Sequence, residues 1–131
     1  MNYGRADTSL TGYNGMTRLV ERESGRVIVE RLRVARSMSE RMRGLLGRSG
    51  LPPGEGMLIE RCSSIHTFFM KFSLDVIFLD RSFRVMRVVR HLHPWRLAGA
   101  WNAARVVELG AGALDGMELS EGRELVMEER P

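Results

Sequence analysis

Short bursts of apolar residues, alternating or continuous, run through most of this chain and set the first expectations. From Thr17 onward, TRLVERE and RVIVERLRVA are separated by Ser24-Gly25. This reads as a β-hairpin with glycine supplying the turn, and the β-branched Val27, Ile28 and Val29 favour strand. Ser37-Met38-Ser39-Glu40 then has the S-x-x-E form of a capping box. Met38, Met42, Leu45 and Leu46 follow at i, i+4, i+7 and i+8, one apolar stripe of a helix. Arg41, Arg43 and Arg48 lie off that stripe and are expected on its solvated face. Gly47 or Gly50 can close the helix, and Pro52-Pro53 prevents its continuation.

The second half is richer in strand signals. MLIE (57–60), IHTFFM (65–70), LDVIFL (74–79), FRVMRVVRHL (83–92), ARVVEL (104–109) and RELVMEE (123–129) all read as strands, with Asp80-Arg81-Ser82 as a turn. HPWRLAGAWN (93–102) breaks the pattern and reads as a loop, and GAGALDGM as one short helical turn. About seven short strands and one helix in the N-terminal half predict a mainly β domain bordering on α+β, either a small barrel or a two-layer sandwich. Short connections favour antiparallel pairing. Residues 1–16 are polar, without periodicity, and read as a disordered tail; residues 17–131 form one domain.

Composition narrows the class further. A chain of 131 residues with 44% apolar content can bury a core without disulfides or metals. No run approaches the roughly 18 consecutive apolar residues of a membrane-spanning helix, and the N-terminus lacks a secretory pattern. The default expectation is therefore a soluble, cytoplasmic protein with no membrane span. The formal charge of +4 invites a nucleic-acid reading. The arginines are scattered among glutamates, however, as in ERESGRVIVERLR, so nucleic acid is an unlikely partner on charge alone.

Candidate chemistry concentrates in CSSIHTFFMKFSLDVIFLD (62–80), which holds the only cysteine, Cys62, together with His66 and Asp75. Across a turn a thiolate and an imidazole can meet, with Asp75 orienting the ring, as nucleophilic catalysis requires. The structural alternative is a buried, inert Cys62, a His66 bonded to a loop carbonyl, and an Asp75 tied to backbone amides. Nothing marks an oxyanion hole, and the structural alternative is favoured. His91 and His93, at i and i+2, would share a strand face and with His66 supply three zinc ligands. Leu92 and Pro94 interrupt that geometry, so no metal is expected, and no cofactor. Trp95 and Trp101 bracket the 93–102 loop, as recognition residues or as an apolar lid.

Several segments in order resemble the family known as domain of unknown function 192. These are RMRGLLGR (41–48), GMLIERCSSIHTFFMKFSLDVIFLD (56–80), Pro94, VVELGAG (106–112) and GRELVM (122–127). The resemblance implies a small β-rich single domain, with no established activity to carry over. The stretch Ala113 to Ser120 is more compact than is usual in that family, and His91 and His93 do not look like family features. The expected function is binding of a small ligand or a protein partner. Residues 62–70 and the 93–102 loop would build the face, with Ser64, His66, Thr67, Asp75, Trp95 and Trp101 as candidate contacts. The alternative is a cysteine- or metal-dependent hydrolase centred on Cys62, His66 and Asp75.

Overall fold

Strands near the N- and C-termini of the domain pair with each other, while those between them build a central sheet. The computed structural model describes residues 17–129, so the expected tail at 1–16 lies outside the described residues. The strands are β1 (Thr17–Glu21), β2 (Val27–Val29), β3 (Arg31–Ala35), β4 (Glu55–Glu60), β5 (Ser64–His66), β6 (Leu74–Leu79), β7 (Val85–Leu92), β8 (Leu97–Gly99), β9 (Arg105–Gly110) and β10 (Leu125–Glu129). The helix α1 spans Met38–Leu45. They form a five-stranded sheet in the order β3-β4-β9-β6-β7, a three-stranded sheet β10-β1-β2 and a two-stranded ribbon β5-β8. The protein is mainly β, as expected, with open sheets rather than a closed barrel and more, shorter strands than the sequence pattern predicts.

The alternation of side chains across a strand divides the core in two. On β6, Ile77 and Leu79 join one apolar cluster, with Leu19, Ile28, Val29 and Leu125 of the three-stranded sheet. Leu74, Val76 and Phe78 join the other, with Leu45 of α1 and Ile65 of β5. All six residues of β6 are buried. The central sheet is thus covered on both faces, by the three-stranded sheet on one side and by α1 with the ribbon on the other. Near-continuous burial explains why LDVIFL does not alternate in polarity.

Four expectations need correction. First, β3 pairs with β4 in parallel, with α1 as the crossover; the helix supplies the chain length that such a crossover needs. The predicted strand RVIVERLRVA therefore divides at Glu30, β2 pairing with β1 and β3 with β4. Second, IHTFFM is strand only to His66, and the chain then turns through Phe69, whose left-handed backbone (φ 69°) breaks the extended run. Third, the 93–102 loop contains β8, which pairs residue for residue with β5. Fourth, Arg41 is not on the solvated face. It is fully buried, together with Gly44 and Leu45, while Met38 and Leu46 of the predicted stripe are exposed.

The N-terminus of α1 forms as its sequence dictates. The Ser37 hydroxyl accepts from the Glu40 amide at 3.2 Å, and the Glu40 carboxylate accepts from the Arg36 amide at 2.8 Å. Gly47, at φ 85°, terminates the helix. Gly44 sets its distance from the sheet: a Cβ there would meet the Met57 methyl at 2.6 Å. That close approach carries the buried helical face, and Arg41 with it, into the core.

Candidate functional site

The ribbon β5-β8 sits at the end of the chain segment singled out by sequence, and its two faces differ. Ile65 and its partner Ala98 point inward against the second cluster. His66 and its partner Leu97 therefore point outward, as do Ser64 and Gly99. The His66 ring stacks on Phe68 at 4.7 Å, Phe68 on Trp95 at 5.6 Å, and Phe69 tilts against Trp95 at 4.8 Å. The outer surface leaves Phe69 67%, Trp95 56%, Leu97 72% and Trp101 92% exposed. Large apolar side chains gathered in the open at one place mark an interaction surface.

Thr67 fixes this arrangement from behind. It is fully buried. Its hydroxyl donates to the His93 carbonyl at 2.7 Å and accepts from the Arg96 amide at 2.9 Å. Its backbone N–H donates to the Arg96 carbonyl, and its own carbonyl accepts from the amides of Met70 and Trp95. One residue thus clips the 93–96 segment to the 67–70 turn. Both Phe69 and Trp95 (φ 66°) are held in left-handed backbone. That conformation costs roughly 1–2 kcal/mol per non-glycine residue, and strain of this kind collects where a side chain must be presented.

Beneath the ribbon lies a polar group that the sequence reading missed. Arg41 forks onto Glu108 of β9, with its Nη2 2.7 Å from Oε2 and its Nε 3.0 Å from Oε1, and both side chains are wholly buried. The same Nη2 donates to the His66 carbonyl at 2.8 Å. Burial pushes the Glu108 carboxyl up, with Arg41 pulling against it. The signals were present: Arg41 stands at i−3 and i−4 from Gly44 and Leu45, and Glu108 is the sole acid inside an apolar strand. The pair ties α1, β9 and β5 together.

The proposed catalytic trio does not assemble. Cys62 packs in the second cluster, and its thiol donates to the Ser64 carbonyl at 3.1 Å. Burial pushes that thiol up from its ordinary value. Asp75 sits on β6 with the parity of Ile77 and Leu79, so its carboxylate points to the other face of the sheet from Cys62. There Oδ1 accepts from the His91 amide at 2.9 Å, and Oδ2 from the amides of Gly112 and Leu114 at 3.1 and 2.9 Å. Those bonds hold His91 in left-handed backbone (φ 55°) and brace the turns after β9. Nδ1 of His66 accepts from the Phe68 amide at 3.2 Å.

The other histidines diverge. His91 Nε2 lies 3.3 Å from Asp115, and His93 Nδ1 lies 3.1 Å from the Ser73 hydroxyl. Among the described residues no group of three or more His, Cys, Asp or Glu side chains is placed to hold a metal ion. Nor is any helix among them long and apolar enough to cross a membrane. Of the sequence candidates, then, Ser64, His66 and Trp95 share the outer face. Trp101 stands beyond Gly99 at the end of the same row, Thr67 lies behind it, and Asp75 is elsewhere.

Comparison with known proteins places this architecture. A UPF0127 protein of Thermococcus sibiricus is 33% identical over 123 residues, covering 86% of this chain and 77% of its own length. A UPF0127 protein of Pyrococcus horikoshii is 60% identical over 35 residues, 27% of this chain and 30% of that one. Two solved structures share the fold at 24% identity. A Sinorhizobium meliloti protein, provisionally described as a transcription regulator, gives a TM-score of 0.71 and covers 85% of this chain and 91% of that one. A Novosphingobium aromaticivorans protein of unknown function gives 0.70, covering 85% and 83%. The DUF192 family model, described as Uncharacterized ACR, matches residues 19–127, and the chain belongs to that family.

Proposed function

We propose that the protein is a binding module, and that the outer face of the β5-β8 ribbon engages an anionic partner. The observation that carries this reading is the presentation of Phe69 and Trp95 in strained backbone, beside exposed Leu97 and Trp101. A surface that serves only the fold would lower its free energy by relaxing the strain and covering the apolar groups. The sign of the partner follows from charge. Arg61, Lys71, Arg87 and Arg96 stand exposed on the ribbon's flanking loops and on β7, and the segment from 61 to 107 holds only two acids. The two acids are Asp75, buried under three amides, and Asp80, which accepts from the amides of Ser82 and Arg84. Three concavities, of about 290, 560 and 300 Å³, lie away from the ribbon, around Pro52, Ser24 and Ser82.

The hydrolase alternative finds no such support. Its thiol is buried and held protonated, and its orienting carboxylate faces the other way. The two tryptophans of the chain both belong to the ribbon face. Labelling with fluorotryptophan therefore gives two ¹⁹F signals that report on this surface alone. Titration with a single-stranded oligonucleotide, heparin and phosphatidylglycerol vesicles should shift or broaden at least one signal, reversibly with salt, while neutral dextran does not. If no anionic probe moves either signal, the reading fails.

A further inference from the structure

We infer that the anionic partner is a lipid bilayer surface, on which the ribbon docks by inserting Trp95, Leu97, Trp101 and Phe69 among the headgroups. The inference rests on the binding-module reading and names the partner of that same face.

Three observations select lipid. The first is the row itself. Leu97 opens β8, Trp95 stands two residues before it and Trp101 two residues after its end, and Ala98 and Ala100 pack inward between them. Tryptophan at both ends of an apolar row suits the interface between water and hydrocarbon, where an amphipathic indole sits at headgroup depth.

The second is what the rings do not offer. One side of Trp95 stacks on Phe68, and Phe69 lies against it at 59°. Its ring is therefore partly engaged by protein, Leu97 has no π-face at all, and Trp101 alone of the three, 92% exposed, keeps its ring faces open. Platforms for bases need open ring faces, one for each stacked base. A lipid surface instead takes ring edges and aliphatic groups without regard to planarity.

The third is the surrounding charge. Arg61, Lys71, Arg87 and Arg96 are all exposed and come from the ribbon, its flanking loops and the neighbouring β7. Backbone bonds hold the segment after Arg61 alongside the one around Trp101: the Cys62 amide donates to the Ala104 carbonyl, and the Ala100 amide to the Ser63 carbonyl. Arg87 donates to the Gly99 carbonyl at 2.5 Å. Among the described residues none of the four has a carboxylate partner, as is also true of Arg84 and Arg90, whereas Arg18, Arg22, Arg26 and Arg123 of the opposite sheet and its flanks do. Cations left unneutralised around exposed apolar groups are the two components of peripheral attachment to anionic membranes.

The test uses the full chain, vesicles of phosphatidylcholine alone or with about 30 mol% phosphatidylglycerol to give a negative surface, and a single-stranded oligothymidylate. Tryptophan emission should shift to the blue on anionic vesicles and be quenched by brominated acyl chains. Partitioning should exceed that on neutral vesicles by about tenfold or more and fall as salt is raised. Two variants complete it. Leu97→Ser/Trp101→Ser removes the most exposed apolar groups without touching the core and should lose the shift. Lys71→Glu/Arg96→Glu should weaken partitioning by about tenfold or more. Absence of association with anionic vesicles, or association without quenching by brominated chains, overturns the lipid inference. If oligothymidylate then shifts the emission of the parent but not of Leu97→Ser/Trp101→Ser, the face still binds and only the partner was wrong. If Leu97→Ser/Trp101→Ser binds vesicles as well as the parent, the reading of the face itself falls.

Discussion

The central sheet is covered on its two faces in opposite ways. Over the first face the β10-β1-β2 sheet brings arginines to carboxylates: Arg18 to Glu128, Arg22 to Glu124, and both Arg26 and Arg123 to Glu21. The Ser24 hydroxyl, then Arg123 and Arg26, hold the Glu21 carboxyl below its ordinary value against the cost of burial. Over the second face, Arg41 and Glu108 pair underneath α1 and Arg33 and Arg48 pair with Glu55 at its edge, while the ribbon leaves cations and aromatic rings outside. One residue type thus serves two purposes. Where each charge meets its partner the surface is finished by folding. Where strain, exposed apolar area and unpaired charge coincide, folding leaves something over for a partner to satisfy.

The largest expected effect tests the buried half of that contrast. Arg41→Met strands the Glu108 carboxylate and should cost about 3–5 kcal/mol in denaturant unfolding, while Arg41→Met/Glu108→Leu recovers much of the loss. A single variant within about 1 kcal/mol of the parent would show that water or another group satisfies Glu108. Next, Asp75→Ala removes the acceptor of three amides and should cost roughly 1–3 kcal/mol or more. Unchanged stability would detach Asp75 from its bracing role.

Cys62 gives a kinetic check. Its thiol is raised by burial, so the thiolate is scarce until the pH passes above the ordinary thiol range, where the group would first ionise in the unfolded chain. Alkylation should therefore be slower in native than in unfolded protein near neutrality, with no inflection below about pH 7.5. A faster native rate would revive the nucleophile. The smallest effect sharpens the contrast from outside: Trp101→Ser should shift stability by no more than about 0.5 kcal/mol, since the indole touches little of the fold. A larger loss would mean that the ring packs as a lid.

Much of the architecture was legible because its signals are local. The capping box, the hairpin turn at Gly25, the strand at 74–79 and the turn at Asp80 all depend on residues near one another in sequence. The errors share one cause. Arg41 looked like a surface residue because a charge is normally solvated, and only a carboxylate 67 positions away reverses that. Residues 93–102 looked like a loop because the three residues of β8 hold their strand form through pairing with β5. Asp75 and Cys62 looked like partners because both lie in one short segment, yet its parity on β6 sends Asp75 to the face of the sheet opposite the cluster that holds Cys62.

The amino-acid sequence alone therefore determined the class of this protein, the helix at 38–45 and most of the described strands, since propensity, capping and turn chemistry act over a few residues. Only the tertiary structure decided which charges are neutralised and which are left open. A side chain's solvation is set by whatever the fold brings beside it, and for Arg41, Thr67 and the aromatic row those neighbours arrive from distant segments that no local pattern names.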